Sequence, residues 1–240
     1  DVSKFNDGDR GDTHPLLTGG SGESFIITDS RKVADGASKK GIGFAAYLND
    51  SNRQELFPEA LYCIDCLMAV SDEQLYRMYL RYKHLPWTIT TTQRCRIREI
   101  TLEDVDRLYE LYEDPGISRY TDPLFENRVD EIAYTKEYIR SQYTFYEYGI
   151  WIVEDKNSGE IIGRAGLSNR FGYEDVELGY IIGSAFQRQG YATEVCLAIM
   201  KYAKERLDID RLISFVVPGN EASEGLLKKL GFKYKKNVRL

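Results

Sequence analysis

The feature that most restricts how this chain can fold is a strand, a polar turn and a long helix in quick succession. The apolar run ELGYIIG (177–183) gives way to QRQGYATE (187–194), which leads into EVCLAIMKYAKERL. Apolar residues in an unbroken run read as a buried strand, and the later spacing reads as a helix. Between them sits Gly190, with the small Ala192 two positions on. Glycine lets the main chain approach a ligand closely. The first N–H groups of a helix have no intrahelical partner and lie at the positive end of its dipole. An anion, and a pyrophosphate in particular, suits such an entrance.

The flanking segments supply an order of elements. From Arg94, RCRIREI reads as a strand and TLEDVDRLYELYED as a helix, with Thr101 as N-cap and Asp104 three residues on. PGISRYTDPLFENR reads as a loop and VDEIAYTKEYIRSQYTFYE as a second helix. YGIWIVED and EIIGRAGLSNR are strands joined by the hairpin turn KNSG. After VELGYIIG and the helix from Gly190 come the strand RLISFVV, the helix NEASEGLLKKLGF and a last strand, KYKKNVRL. The sheet is antiparallel until a parallel pair forms around the long helix. Two parallel strands that diverge there leave main-chain groups unpaired, and a ligand can complete the sheet. Trp151 and its neighbours read as sheet core, and Lys228 and Lys229 as a solvated helix face.

This order, with QRQGYA fitting the pattern [QR]xxGx[GA] and NEASEGLLKKLGF ending in LGF, resembles the GNAT N-acetyltransferase superfamily over residues 94–240. The wording ELGYIIG…RQGYATE is similar to its Rim-type branch, which acetylates protein N-terminal amines; other members of that branch modify small amines. The resemblance implies acetyl-CoA as co-substrate, held by the segment Gln187, Arg188, Gln189, Gly190, Tyr191, Ala192 and Thr193 at its pyrophosphate. It implies that the main chain of Ile181 and Ile182 pairs with the pantetheine, and that Asn220 and Ser223 bind it from the next helix. Ser223 then sits near the sulfur and protonates the departing thiolate. Many members carry a tyrosine four residues before the LGF glycine; here that position is Leu227.

Acetyl transfer needs a neutral amine, and a carboxylate can take its proton. Glu177 is the candidate base, on the strand beside the splay. Strand alternation puts it on the face opposite Ile182 unless a bulge intervenes. Tyr180, Glu174 and Asp175 are alternatives. The loop ISRYTDPLFE and residues 169–173 would line the acceptor pocket. A direct attack within a ternary complex is expected, because no acyl-carrying nucleophile stands out and Cys196 falls on an apolar helix face. A non-catalytic acyl-CoA sensor is the alternative.

The first 90 residues read differently. Residues 1–23 are polar and glycine-rich and read as a flexible leader. Residues 24–90 read as a small α/β accessory domain: strands at SFIITD and IGFAAYL around a helix, a short strand at ALYCIDCL, and a helix from Ser71 to Leu85. This half-domain faintly resembles the second half of haloacid-dehalogenase-type phosphatases, with Asp29 at the acidic position, although the family's DxDx[TV] pattern is missing. PWTITTTQ reads as the linker to residue 94. The fold class expected is α/β (α+β): a mixed, mostly antiparallel, splayed sheet flanked by helices, preceded by a small Rossmann-like half-domain.

Composition excludes several classes. The net charge of −6 argues against general affinity for nucleic acid or anionic membrane. No apolar run approaches the roughly 20 residues of a membrane span, and the start lacks a signal-peptide pattern. A cytoplasmic protein is expected, with no metal: CIDC has no second Cys pair or suitably spaced histidine. The partner expected is a small-molecule or peptide amine, with a homodimer left open.

Overall fold

The computed structural model describes residues 24–238 and the main chain of β1 (His14–Pro15). The rest of the leader expectation, and the last two residues, lie outside the described residues. The chain divides into two compact units, Asp1–Leu85 and Pro86–Leu240.

In the first unit β2 (Phe25–Thr28), α1 (Arg31–Lys39), β3 (Gly43–Tyr47) and β4 (Cys63–Ile64) follow one another, and α2 (Asp72–Tyr82) closes the series. β2, β3 and β4 are parallel neighbours, and β1 pairs antiparallel with β2. Ala34, Ala37, Phe44, Ala46 and Phe57 bury together as its core. Ser71 and Gln74 form a reciprocal capping box that starts α2. Asp29 lies just past β2, where its carboxylate accepts a hydrogen bond from Asn49 Nδ2 at 3.1 Å.

The second unit carries a six-stranded sheet. Its elements are β5 (Thr88–Thr91), β6 (Cys95–Arg98), α3 (Val105–Tyr112), α4 (Pro115–Ser118), α5 (Arg128–Tyr138), α6 (Thr144–Tyr146), β7 (Ile150–Asp155), β8 (Ile161–Ser168), β9 (Val176–Ile182), α7 (Tyr191–Leu207), β10 (Leu212–Ile213) and α8 (Glu221–Lys229). Sheet order is β10-β9-β8-β7-β6-β5, and only β10–β9 is parallel. The β7–β8 turn is held by Asp155, which accepts from the Asn157 and Ser158 amides, with Gly159 at φ 72°. Trp151, Ile152, Leu167, Leu178 and Ile199 are fully buried, and the Trp151 ring meets Tyr202 edge-on at 5.7 Å.

Several local expectations change. The stretch expected as a linker contributes β5, an edge strand paired antiparallel with β6, because TITT alternates one buried residue, Ile89, among threonines. Residues 214–217 do not extend β10, which pairs with β9 only at Leu212↔Val176 and Ile213↔Glu177. Residues 233–238 form no strand; they are mostly exposed and rich in lysine. The helix over 128–146 is interrupted by a π-helical turn, Ile139–Tyr143, which turns Tyr143 into the core to donate to Ile150 O at 2.6 Å. Among the described residues no helix is long and apolar enough to cross a membrane.

Candidate active site

The short β9–β10 pairing makes the site. Past Glu177 the two strands part, and a cleft of about 790 Å³ opens between β9, residues 214–217, the start of α7 and α8. That volume lies within the roughly 300–1,000 Å³ common for ligand clefts. Near the fork Ser214 Oγ donates across to Leu178 O at 2.9 Å.

Which main-chain groups face the opening follows from alternation. Gly163 pairs with Ile182, and the Gly183 amide donates to Ile162 O at 2.8 Å. In an antiparallel ladder this makes Gly163–Ile182 a non-hydrogen-bonded pair, whose own N–H and C=O point away from each other. Ile182 and Tyr180 therefore turn their main-chain groups toward the cleft, and Ile181 turns its own toward β8. Ile181 and Ile182 were the expected pair from sequence. The β pleat replaces Ile181 by Tyr180, while Ile181 keeps a place in the cleft wall. Ile182 O already accepts from Gln187 Nε2 at 2.8 Å, which fixes the turn before α7.

The turn itself holds two left-handed residues, Arg188 at φ 58° and Gly190 at φ 86°. Arg188, Gly190, Ala192 and Thr193 face the cleft with Gln187. Gln189 and Tyr191 do not. They serve a brace that the sequence did not announce. Arg94 Nη1 donates to Gln189 O at 2.9 Å, and its Nε and main-chain N–H bond the Glu194 carboxylate at 2.7 and 2.8 Å. Its guanidinium lies 4.0 Å from the centre of the Tyr191 ring, whose hydroxyl reaches Asp155 at 2.9 Å. Burial pushes the Glu194 carboxyl up, but hydrogen bonds from Thr92 and Arg94 outweigh it and hold it below its usual range. One hundred residues separate the pair, so no local pattern could reveal it.

α8 begins beside the cleft. Asn220 caps it by accepting from the Ser223 amide at 3.1 Å, and both residues line the opening, as does Lys229 from the last turn. Ser223 Oγ lies 2.9 Å from Tyr180 Oη. Burial pushes the Tyr180 phenol up to about 12, against the opposing pull of that hydrogen bond. Leu227 is buried.

Glu177 stands on the other face of β9. The register runs unbroken from Ser168↔Glu177 to Gly163↔Ile182, so no bulge brings it to the face of Leu178, Tyr180 and Ile182. It is buried and paired with Arg170, whose Nε is 2.7 Å and Nη2 3.3 Å from its oxygens. The Arg170 guanidinium lies 5.0 Å from the Phe215 ring centre, and Tyr173 meets that ring edge-on at 4.9 Å. Ile117, Tyr120 and Thr121 complete this side of the wall. Asp114 holds their segment in place by accepting from the Gly116 and Ser184 amides at 2.8 and 3.2 Å. The Ser184 hydroxyl first, and then these amides, keep its carboxyl below the usual range. Glu174 and Asp175 do not line the cleft; Asp175 pairs with Arg211 at 3.1 Å. Among the described residues no group of three or more His, Cys, Asp or Glu side chains could hold a metal ion.

Comparison with known proteins follows the same outline. An uncharacterized Bacillus subtilis protein, YkkB, is 30% identical over 158 residues, covering 63% of this chain and 89% of its own length. The [ribosomal protein uS5]-alanine N-acetyltransferase of Escherichia coli is 28% identical over 163 residues, covering 62% and 80%. A GNAT-family acetyltransferase structure from Bordetella pertussis superposes with a TM-score of 0.54 at 20% identity, over 63% of this chain and 92% of that one; at such identity the likeness speaks for the fold. Residues 94–233, more than half of the chain, match the family model for the acetyltransferase (GNAT) domain, and the chain belongs to that family of N-acetyltransferases.

Proposed function

We propose that the second unit transfers an acetyl group from acetyl-CoA directly to the primary amine of a peptide or protein N-terminus. The observation that carries this reading is the fork of β9 and β10 in front of the α7 entrance. The amides around Arg188, Gly190 and Ala192 suit a pyrophosphate. The main chain of Tyr180 and Ile182 suits an extended amide-bearing arm, with Asn220 beside it. Lys229 supplies a cation at the cleft wall. The peptide acceptor draws support from the name of the Escherichia coli relative, which acts on a ribosomal-protein alanine.

The two faces of β9 divide the chemistry. The amine nitrogen attacks the thioester carbonyl, a C–N bond forms, and the C–S bond breaks. The nitrogen's proton passes to Glu177, directly or through water, and then to solvent. The thiolate leaves beside Ser223, stabilised by the serine hydroxyl, and takes a proton from water. An α-amine near pKa 8 is roughly one-tenth neutral at pH 7, whereas a lysine near 10.4 is neutral in fewer than about one molecule in a thousand. The N-terminal amine is therefore the easier acceptor.

Calorimetric titration with acetyl-CoA and with desulfo-CoA tests binding. Mass spectrometry of peptides bearing N-terminal alanine or serine, beside a panel of small amines, tests transfer. Saturable binding with acetylated peptide is expected. Binding without product from any amine would leave an acyl-CoA sensor, and no binding would end both readings.

A further inference from the structure

Leu227, on α8, is buried and brings no polar group to the cleft. A phenol nevertheless reaches the same helix from the facing strand. Tyr180 Oη lies 2.9 Å from Ser223 Oγ, and both residues line the cleft. We infer that Tyr180 is a positioning residue for acyl transfer: it donates to Ser223 Oγ, which leaves the serine's own proton free to point at the departing sulfur. This inference rests on the acetyl-transfer reading above.

The direction of the hydrogen bond follows from the acceptors available. A serine hydroxyl has one proton and two lone pairs, and a lone serine spreads that proton over several rotamers. The other acceptor near Tyr180 Oη is Ser223 O, at 3.3 Å. That carbonyl sits in the first turn of α8, where the helix ladder already engages it. Oγ is nearer and carries a free lone pair. Ser223's amide is committed to Asn220 Oδ1, so its main chain is fixed while its hydroxyl can turn. Burial keeps the phenol protonated, hence a donor, far above neutral pH. No proton is transferred through Tyr180; it decides only where the serine proton points.

The experiment uses the full chain with the peptide acceptor. Tyr180→Phe and Ser223→Ala are each expected to lower kcat about tenfold, with the KM for acetyl-CoA and the melting temperature little changed. The double variant is expected to fall no further than Ser223→Ala, because the phenol acts through the serine. Multiplicative losses in the double variant would overturn the inference. Fluorinated tyrosines at 180 give a second readout that packing would not move. As the more acidic phenol ionises it stops donating, so kcat should acquire a new alkaline fall, displaced downward in step with phenol acidity and absent in Ser223→Ala. An unaltered alkaline profile would also overturn it. If the wild-type protein binds CoA and acetylates no amine, the acetyl-transfer reading itself falls and takes this inference with it.

Discussion

Gly163 lies opposite Ile182 in the β8–β9 ladder, beside the carbonyl of Ile181, and a methyl group there would meet main chain. A Cβ built on Gly163 lies 2.1 Å from Ile181 O, where ordinary contacts begin near 3.4 Å. Side chains can rotate away from such a clash; a strand carbonyl cannot. Even a tight contact of 3.0 Å requires a movement of 3.0 − 2.1 = 0.9 Å. Gly163→Ala must therefore push β9 away from β8 at the residue between Tyr180 and Ile182, whose main chains face the cleft. Overpacking of this kind costs about 1–3 kcal/mol, a drop in melting temperature of roughly 5 °C for a unit of this size. The larger effect is expected on activity, because a misplacement of about 1 Å in a positioned site costs on the order of a hundredfold. Scanning calorimetry and steady-state kinetics with acetyl-CoA and peptide would be run together. Gly36→Ala is the folding control, since its Cβ meets nothing within 4 Å in the middle of α1. It should gain up to about 1 kcal/mol and leave kcat/KM alone. A Gly163→Ala protein with wild-type kcat/KM would refute the claim that the β9 main chain at this point builds the cofactor cleft.

Four further outcomes are expected. Arg94→Ala removes the side-chain bonds to Gln189 O and Glu194 and the contact with the Tyr191 ring, leaving Glu194 its main-chain bond to residue 94, so the KM for acetyl-CoA should rise about tenfold with kcat nearly constant; an unchanged KM would show that the turn holds its shape unaided. Because the folded state lowers the Glu194 carboxyl, its contribution to stability is present above its unfolded value near 4.3 and fades as pH falls through the lower folded value. The acid limb of the unfolding curve should therefore flatten in Glu194→Gln. Glu177→Gln should reduce turnover most at low pH, where removing the amine's proton limits; an unshifted pH–rate profile would take Glu177 out of that role. Alkylation of the native protein should modify only Cys63 and Cys66, which are exposed. Burial pushes the Cys95 and Cys196 thiols up to about 11 and about 12 and shuts them from reagent, so those two should react only on unfolding.

Arg98 offers a separate check on the core. It is buried, bonds both Asp104 oxygens at 2.7 Å, donates to Glu99 O at 2.9 Å and pairs with Glu154. Removing the guanidinium leaves buried Asp104 without its cation, while Glu154 keeps Arg96, so Arg98→Ala should cost about 3–5 kcal/mol, read from urea unfolding. A loss under 1 kcal/mol would mean that water already reaches Asp104.

The sequence by itself determined the elements whose signal is local. Ser71 and Gln74 start α2 through contacts three residues apart, and Thr101 with Asp104 starts the first helix of the second unit in the same way. The apolar run at 177–183, the glycine at 190 and the helix beyond could be read as a strand, a polar turn and a helix entrance, since each depends on its own φ/ψ and neighbours. Tertiary structure alone decided everything that depends on register or on residues far apart in the chain. It placed Tyr180 instead of Ile181 at the open edge, because a pleated strand turns alternate main-chain groups to opposite sides and only the pairing with β8 says which. It ended β10 after Ile213, because strand length depends on a partner, not on β propensity. It set Arg94 against Glu194, Arg170 against Glu177 and Tyr180 against Ser223, since charge and hydrogen-bond pairing follow distance in space, which the linear order does not carry.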